Sequence, residues 1–500
     1  MADTKREIER KYESDDSGLP DLTGVAGVAA VIDKGVAQLD ATYYDTADER
    51  LAASSITLRR RTGGSDAGWH LKFPVAQGVR DEIQAPLSDD LPKTLAGLVR
   101  SRVRDTELVP VVRLRSDRDV RDLVDADGRL LAEVSVDAVL AQRLAGGDGS
   151  AQWTEIEVEL ADGVDPAFLD KVEKRLRKAG VRPSKSASKL ARALAETAPK
   201  KPDLASVEDP VTAGDHVLAY VRVQRDAIVG LDPAVRQDVE DSVHSMRVAT
   251  RRMRSTFKSF GKVLDRAVTD PIGDELKWLA GELGVDRDRE VLNERLSAAL
   301  DEVPHALVSG PVAERLSHWA GDRPGGASGR LIGVLDSRRY LALLDALDGV
   351  LTDPPLLKAA GKKPGKVLPK AVRKDFGKVT ALVEQALELE PGTDRDVAIH
   401  EARKKTKRTR YAAEAATPAL GKSAKSLTKS MKSLQNLLGE HQDSVMARQT
   451  LRELSAVAHA AGESAFTYGL LYGREEQRAA AVEAELPAFW DGNKGGADVL

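Results

Sequence analysis

Three charged residues near the start of the sequence, Glu7, Glu9 and Lys11, occupy alternate positions. Side chains alternate across a β-strand, so this spacing places all three on one face. A second strand-like run repeats the arrangement with three glutamates: Glu155, Glu157 and Glu159. Carboxylates on one face repel one another unless cations lie opposite. Their oxygens are the ligands that Mg²⁺ and Mn²⁺ prefer, so the pattern indicates a divalent-metal site.

Basic side chains lie on other strand-like runs of the same region. They are Arg59, Arg61, Lys72, Arg80, Arg113 and Arg115. Arginine and lysine neutralise phosphate oxygens, and arginine binds them in bidentate fashion. A sheet closed on itself, with acids on some strands and bases on others, would form a charged tunnel for a metal and a row of phosphates. The alternative for each strand alone is the solvent face of an ordinary sheet, but charges on so many strands favour the tunnel.

In the second half of the sequence, basic residues recur every three or four positions, which places them on one helix face. The first stripe is His244, Arg247, Arg251, Arg254 and Lys258; the second is His400, Arg403, Lys404, Lys407 and Arg408, in which Lys404 and Arg408 flank a spacing that continues to Arg410. Stacked cations repel one another, so each stripe is unfavourable without a counterion. The alternative is a solvated helix face. The second stripe follows the first by roughly 155 residues, and this repetition favours an anion-binding groove.

Few aromatic residues accompany these stripes. Base reading or single-strand stacking would bring aromatics among the cations, whereas Tyr411, Phe257 and Phe260 fit a packing role. A phosphate chain without bases therefore explains the pattern better than nucleic acid does. Membrane binding is not expected, because the opposite helix faces are needed for bundle packing. The sequence gives no indication of protein partners.

Periodicity indicates the elements that position these residues. Residues 1–195 read as short strands separated by Gly-, Pro- and Asp-rich turns, which predicts antiparallel hairpins, with helices near 23–36, 88–103 and 165–179. The segment 196–214 carries three prolines and is predicted to be a linker. Beyond it the pattern is helical.

Composition limits the class of protein. A chain of 500 residues predicts two or three domains, and 42% hydrophobic with 31% charged residues is typical of a globular protein. The absence of cysteine excludes disulfides and cysteine-ligated metals. The charged start lacks a signal-peptide pattern and no apolar run reaches membrane-spanning length, so a cytoplasmic protein is expected. The net charge of −4 does not argue against local anion sites.

The first 195 residues resemble the CYTH family, the triphosphate tunnel metalloenzymes. Their first strand carries the family hallmark Glu-x-Glu-x-Lys as Glu7-Ile-Glu9-Arg-Lys11. Further matching pieces are Tyr43-Tyr44-Asp45-Thr46, Leu58-Arg59-Arg60-Arg61, Trp69-His-Leu-Lys72, Glu155-Ile-Glu157-Val-Glu159 and Ser184-Lys-Ser-Ala-Ser-Lys189. The resemblance implies an eight-stranded antiparallel tunnel, a substrate with a triphosphate group and a divalent metal held by glutamates.

The resemblance also implies roles for individual residues. The metal ligands or water activators would be Glu7, Glu9, Glu157 and Glu159, with Glu155 as a competing ligand on the same face. The phosphates would be held by Lys11, Arg59, Arg61, Lys72, Arg113, Arg115 and Lys189. Lys185 competes with Lys189 for the role of closing the tunnel.

Residues 213–480 resemble the CHAD domain, a helical module associated with inorganic polyphosphate. The match rests on His244-x-x-Arg247 and His400-x-x-Arg403, and on two Leu-Gly motifs, Leu283-Gly284-x-x-x-Asp288 and Leu438-Gly439-x-His441-x-Asp443. The resemblance implies polyphosphate binding by the basic stripes.

Together these features predict an α+β protein with an eight-stranded antiparallel tunnel, flanking helices and a separate all-α bundle built from a duplicated unit. The predicted boundaries are 3–195 for the tunnel domain, 196–212 for the linker, 213–480 for the helical domain and 481–500 for a C-terminal tail. The predicted function is hydrolysis of inorganic triphosphate or short polyphosphate with Mg²⁺ or Mn²⁺, and polyphosphate binding by the helices. A non-catalytic polyphosphate scaffold, an organic-triphosphate hydrolase or cyclase, and association with polyphosphate granules stay open.

Overall fold

The computed structural model describes residues 4–14, 18–197, 209–321, 327–497 and 500, without the side chains of 285–287 and 327–328. Residue contacts divide the chain into two compact units, 1–205 and 206–500. Most of the predicted linker, residues 198–208, lies outside the described residues. In the described ranges, no helix combines the length and the apolar character needed to cross a bilayer.

The first unit is an antiparallel sheet. Its strands are β1 Thr4–Ser14, β2 Ala30–Asp45, β3 Thr57–Thr62, β4 Gly68–Ala76, β5 Val79–Pro86, β6 Val109–Val124, β7 Leu130–Arg143, β8 Ser150–Leu160 and β9 Arg182–Pro183. They are ordered β5-β4-β3-β2-β6-β7-β8-β1-β9. One half of β1 pairs with β8 and the other half with β5, so eight strands close into a ring. The predicted α+β fold with an antiparallel tunnel is confirmed.

Helices cover the outer surface of this ring. They are α1 Arg50–Ala53, α2 Lys93–Val103 and α3 Ala167–Lys178, whereas a fourth helix, α4 Lys189–Thr197, lies at one end of the ring. The outward side chains of β1 and β8, such as Tyr12 and Ile156, pack against Phe168 and Val172 of α3. Much of the apolar core therefore lies outside the ring, and most of the inward face is free to carry charge.

The prediction of a helix near residues 23–36 is wrong, and the described structure has no helix there. Gly24 and Gly27 have φ of 78° and 91°, which a right-handed helix does not allow. From Ala30 the chain pairs residue by residue with β6, so the second half of the segment is the start of β2.

The second unit is helical. Its helices are α5 Ala213–Arg236, α6 Ser242–Ser259, α7 Arg266–Glu282, α8 Val285–Asp301, α9 Val312–Gly321, α10 Ala327–Leu335, α11 Arg338–Thr352, α12 Pro364–Glu388, α13 Thr393–Leu420, α14 Lys422–Ala460 and α15 Phe466–Asp491, with a 3₁₀ turn at His305–Leu307. The main core joins α5, α6, α7 and α11 with α12, α13 and α14. The predicted all-α architecture is confirmed.

The prediction that residues 481–500 form a tail outside the helical domain is wrong for most of that segment. Helix α15 runs to Asp491, and its Leu486 and Trp490 are buried in the main core. The Trp490 ring stacks on Phe376 of α12 with centroids 6.0 Å apart. Residues 481–491 are therefore part of the helical unit.

Candidate functional site

The ring encloses a cavity of about 560 Å³ lined by charged side chains. The predicted residues that it brings together are Glu7, Glu9, Lys11, Arg59, Arg61, Lys72, Arg80, Glu157, Glu159 and Lys189. The pairing of β1 with β8 sets Lys11 opposite Glu157, and its pairing with β5 sets Glu7 opposite Arg80. Acids and bases therefore face one another across neighbouring strands, as the alternation predicts.

Helix α4 fills one end of the ring and inserts a lysine among buried acids. Its Leu190 packs against inward-facing apolar side chains, including Leu114 and Val139. The Nζ of Lys189, at the start of α4, lies 2.7 Å from Glu155, 2.7 Å from Glu157 and 3.1 Å from Asp137. Burial opposes the lysine charge, but the three carboxylates raise its pKa above the ordinary value.

Glu157 is the most heavily paired carboxylate of the cavity. It contacts Lys11 and accepts a 2.8 Å hydrogen bond from Arg118, in addition to its ion pair with Lys189. Burial favours the neutral acid, but these three cations hold its pKa well below the usual range. The Nζ of Lys11 also lies 3.2 Å from Glu9. Lys11 therefore links a carboxylate of β1, Glu9, with one of β8, Glu157.

A second acidic pair lies on the wall formed by β1, β4 and β5. Glu7 accepts a 2.5 Å hydrogen bond from Lys72 and also contacts Glu82, which accepts a 2.8 Å hydrogen bond from His70. Burial, with the neighbouring Glu82, raises the pKa of Glu7 to about 7. Burial also disfavours the charge of Glu82, but His70 and Lys72 hold the pKa of Glu82 well below its usual range. The pair therefore carries one negative charge and one proton below pH 7, and Glu7 loses that proton as the pH rises through about 7.

The donor chemistry fits a hard divalent cation. Carboxylate oxygens of Asp137, Glu155 and Glu157 lie within 4.8 Å of one another, and all three residues are buried. The ammonium of Lys189 is bound among these oxygens. A metal at this cluster would have to displace or share that ammonium. Of the other predicted ligands, Glu159 is the more exposed one and pairs with Lys5 at 2.6 Å.

Three predicted tunnel residues lie elsewhere. Arg113 and Arg115 point to the outer face of β6, where both pair with Asp40 at 2.5 and 3.7 Å. The prediction that they line the tunnel is wrong, because the inward positions of β6 have the opposite parity. Lys185 is exposed ahead of α4, and Lys189 enters the cavity instead.

The structure adds ionisable residues that the sequence did not indicate: Arg118, Glu82 and His70. Glu133 and Asp137, which lie on a charged strand of the sequence but were not assigned a role, also belong to the site. Arg118 has the inward parity of β6 and donates two hydrogen bonds to Asp137, at 2.7 and 2.9 Å. Glu82 follows Arg80 by two residues on β5, so strand alternation alone could have identified it.

In the helical unit, α6 and α13 line a second cavity, of about 520 Å³. The stripe residues found there are Arg251, Arg254, Lys258, Lys404, Lys407 and Arg408, joined by Lys277 and Lys405. We call this cavity the basic groove. No carboxylate is among the described residues that line it.

The other four stripe residues lie outside the lining of the groove. Arg247 makes a bidentate pair with Asp288 at 2.6 and 2.7 Å, while Arg403 lies 3.8 Å from Asp443. His400 is hydrogen bonded to Gln442 at 2.5 Å, and His244 is exposed.

Glycines provide the space for these two arginines. A Cβ at Gly284 would lie 2.5–2.9 Å from the guanidinium of Arg247, and one at Gly439 would lie 3.4–3.8 Å from that of Arg403. In each copy of the Leu-Gly motif, the glycine therefore leaves room for an arginine side chain to pack against the backbone.

Burial and mutual repulsion both disfavour positive charge in the groove. Burial and the neighbouring Arg403 and Arg251 lower the pKa of Lys407 to about 7. Burial and nearby Arg254 likewise lower the pKa of Lys258. A bound polyanion would relieve this repulsion, so the arrangement favours anion binding.

Comparison with known proteins assigns both units. The CYTH domain model matches residues 5–194, and the CHAD domain model matches residues 219–452. Two proteins of Mycobacterium tuberculosis, the uncharacterized proteins MT2285 and Rv2226, are each 38% identical over 498 residues, covering 96% of this chain and 95% of theirs. The chain belongs to the proteins that join a CYTH domain to a CHAD domain.

Solved structures are similar to parts of the chain. PptA from Streptomyces chartreusis is 20% identical, with 56% of this chain and 100% of that chain covered and a TM-score of 0.45. The CHAD domain from the plant Ricinus communis is 24% identical, with 61% and 97% covered and a TM-score of 0.43. HpAC1 from Hippeastrum, named as an adenylyl cyclase with a dominant triphosphatase activity, is 17% identical, with 38% and 95% covered and a TM-score of 0.23.

Proposed function

We propose that the tunnel hydrolyses inorganic triphosphate or a short polyphosphate with Mg²⁺ or Mn²⁺, and that the helical unit binds polyphosphate. The observation that carries the proposal is a cavity in which arginines and lysines face buried carboxylates, among them Glu157, which clusters with Asp137 and Glu155. Such a cavity neutralises phosphate oxygens on one wall and supplies hard oxygen ligands on another.

The lining favours an inorganic substrate. Among the described residues that line the tunnel, Tyr43 is the one aromatic, and its hydroxyl accepts a 3.2 Å hydrogen bond from Arg59. A nucleobase would need a stacking surface or hydrogen-bonding groups matched to its edge, and the lining is dominated by charge instead. A row of phosphates uses every basic side chain present.

The residues divide the work of phosphoryl transfer. Arg59, Arg61 and Lys72 would bind the phosphate oxygens and hold the chain in line. Asp137, Glu155 and Glu157 would hold the divalent cation, which supplies charge neutralisation and a positioned water. The closed end at α4 limits entry of bulk water from that side.

The assay is phosphate release from tripolyphosphate with each metal in turn. Glu157→Gln should lower the rate by about 100-fold or more, since it removes a buried charge of the site. The matched control is Asp40→Asn, an acid on the outer face of the ring that also pairs with arginine. Hydrolysis by Glu157→Gln at the wild-type rate, or an inactive wild type, would rule out the enzymatic proposal.

A receptor that binds triphosphate without turnover is the second candidate. The observation that favours it is the ion pairing of Lys189 with all three carboxylates of the metal cluster. Tight binding of tripolyphosphate by the wild type, with no phosphate release in either metal, would identify the tunnel as a receptor.

The groove has its own test. Replacing Arg251, Arg254 and Lys407 with glutamate should abolish polyphosphate binding while tripolyphosphate hydrolysis continues at the wild-type rate, because these residues line the groove. Equal loss of both activities would contradict the assignment of binding and hydrolysis to separate sites.

A further inference from the structure

A second group of lysines covers the exposed face of α12, outside the basic groove. Between Asp353 and Asp375 the sequence contains no acidic residue and seven basic ones: Lys358, Lys362, Lys363, Lys366, Lys370, Arg373 and Lys374. Lys366, Lys370 and Lys374 are spaced four residues apart and are all exposed. They lie opposite the buried side of α12, which carries Leu368 and Val372.

These three lysines lack internal counterions. In the described part of the chain, no carboxylate forms an ion pair with Lys366, Lys370 or Lys374. Like charges four residues apart on a helix repel one another, and basic residues near a helix N-terminus oppose its dipole. The helix tolerates both costs because its other face is packed in the main core. The uncompensated charge is thus available to an external anion.

One buried carboxylate of α12 contacts the end of the groove. Asp375 accepts a 3.0 Å hydrogen bond from Arg408, which lines the groove, and a 2.6 Å hydrogen bond from Ser259. Lys378 lies 3.7 Å from the other oxygen of Asp375, and Lys374 directly precedes it in the chain. Arg408 of the groove therefore contacts the helix that carries the three lysines.

We propose that Lys366, Lys370 and Lys374 form a track that extends the basic groove and binds the part of a long inorganic polyphosphate chain that leaves the groove past Arg408. The inference rests on the proposed polyphosphate binding and adds a second site to it. A helix rises about 1.5 Å per residue, so the track is about 12 Å long. Only a polyphosphate chain longer than the groove can reach the track. The protein should therefore bind long chains more tightly than short ones.

Polyphosphate fits the track better than nucleic acid does. Single-stranded nucleic acid gains affinity by stacking its bases on aromatic side chains among the cations. The aromatic residue of α12, Phe376, is buried and stacked on Trp490. The exposed face offers charge alone, which suits a ligand that is phosphate throughout.

The experiment measures affinity for inorganic tetraphosphate and for long-chain polyphosphate in the full-length protein. The test variant changes Lys366, Lys370 and Lys374 to glutamine. The control changes Lys171, Lys174 and Lys178, exposed lysines of α3 in the first unit, to glutamine, with the same change in net charge. Circular dichroism checks that the helical content of both variants equals that of the wild type.

The track variant should bind long chains about 10-fold more weakly, as expected for three exposed charge contacts, with a shallower salt dependence. Its affinity for tetraphosphate and the affinities of the control should not change. Unchanged long-chain affinity in the track variant, or an equal loss in the control, would overturn the inference and leave the groove assignment intact. Single-stranded DNA that binds as tightly as long-chain polyphosphate and is equally weakened would also overturn it. A wild type that binds neither phosphate chain would contradict the proposed function itself.

Discussion

The two cationic cavities of this protein differ in how their charge is balanced. In the tunnel, Lys189 lies against three carboxylates, and its pKa is raised. In the basic groove, Lys407 lies among arginines, and its pKa falls to about 7. The tunnel is neutralised by its own acids, whereas the groove keeps a repulsion that a ligand can relieve. Similar basic residues therefore serve different kinds of binding.

Because the tunnel residues are more fully paired internally than the groove residues, ligand binding should break more ion pairs in the tunnel than in the groove. A metal or phosphate that enters the tunnel must exchange partners with ion pairs that already exist, such as those of Glu157. Such exchange gives selectivity for ligands that replace the lost contacts. A polyanion in the groove breaks few internal pairs and gains the relief of mutual repulsion. The groove should thus bind a polyanion with little regard to its exact length, and the tunnel should be selective.

The largest expected effect tests the balance inside the tunnel. Lys189→Met removes the cation shared by Asp137, Glu155 and Glu157, so the free energy of unfolding should fall by about 3–5 kcal/mol at neutral pH without metal. Addition of Mn²⁺ should restore part of that loss, because the ion replaces the ammonium. Chemical denaturation with and without Mn²⁺ measures both effects.

The control for this variant is Lys185→Met, which removes an exposed lysine four residues earlier. Its stability should equal that of the wild type in both conditions. Loss of stability in Lys189→Met that Mn²⁺ does not reduce would contradict the assignment of a metal to this carboxylate cluster.

A smaller effect tests the repulsion in the groove. With a pKa of about 7, Lys407 is mostly neutral at pH 8 in the free protein, and bound phosphate favours its charged form. Polyphosphate affinity should therefore fall by about 10-fold between pH 6 and pH 8, with proton uptake on binding at pH 8. Calorimetry in buffers of different ionisation enthalpy detects that proton.

Lys407→Arg provides the matched variant, because arginine stays charged across this range. Its affinity should be nearly constant between pH 6 and pH 8. The same fall in affinity in both proteins would assign the pH dependence to another group.

The smallest effect compares the two copies of the Leu-Gly motif. Gly284→Ala places a Cβ against the guanidinium of Arg247 and should disturb its pair with Asp288, lowering polyphosphate affinity by about 3-fold. Gly439→Ala leaves Arg403 at ordinary contact distance and should stabilise α14 by about 0.5–1 kcal/mol. Thermal unfolding and binding of both variants measure the difference, and equal behaviour would mean that the two glycines have the same role.

The sequence identified both architectures because their signals are local. Alternation over Glu7, Glu9 and Lys11 and the three-to-four spacing around Arg251 each define one face of one element. The assignment of inward faces failed on β6, where arginines occupy both parities. Arg113 and Arg115 point out and Arg118 points in, and only the pairing with neighbouring strands distinguishes them.

Long-range packing explains the remaining differences. The choice between Lys185 and Lys189 depended on where α4 packs. Its Leu190 lies against residues of β2, which is more than 100 residues earlier in the sequence. The end of α15 was predictable, since Val482, Leu486 and Trp490 follow one another at a helical spacing of four.

The closure of the ring through β1 has a consequence for folding during synthesis. The first strand pairs with β5, β8 and β9, whose residues reach as far as Pro183. At about 5–20 residues per second, on the order of ten seconds pass between translation of β1 and of β8. Partner strand β5 is translated earlier, but until β8 is made the Glu9–Ser14 half of β1 lacks the strand it pairs with. The seven charged side chains of β1, from Lys5 to Glu13, discourage pairing with other nascent chains during that interval.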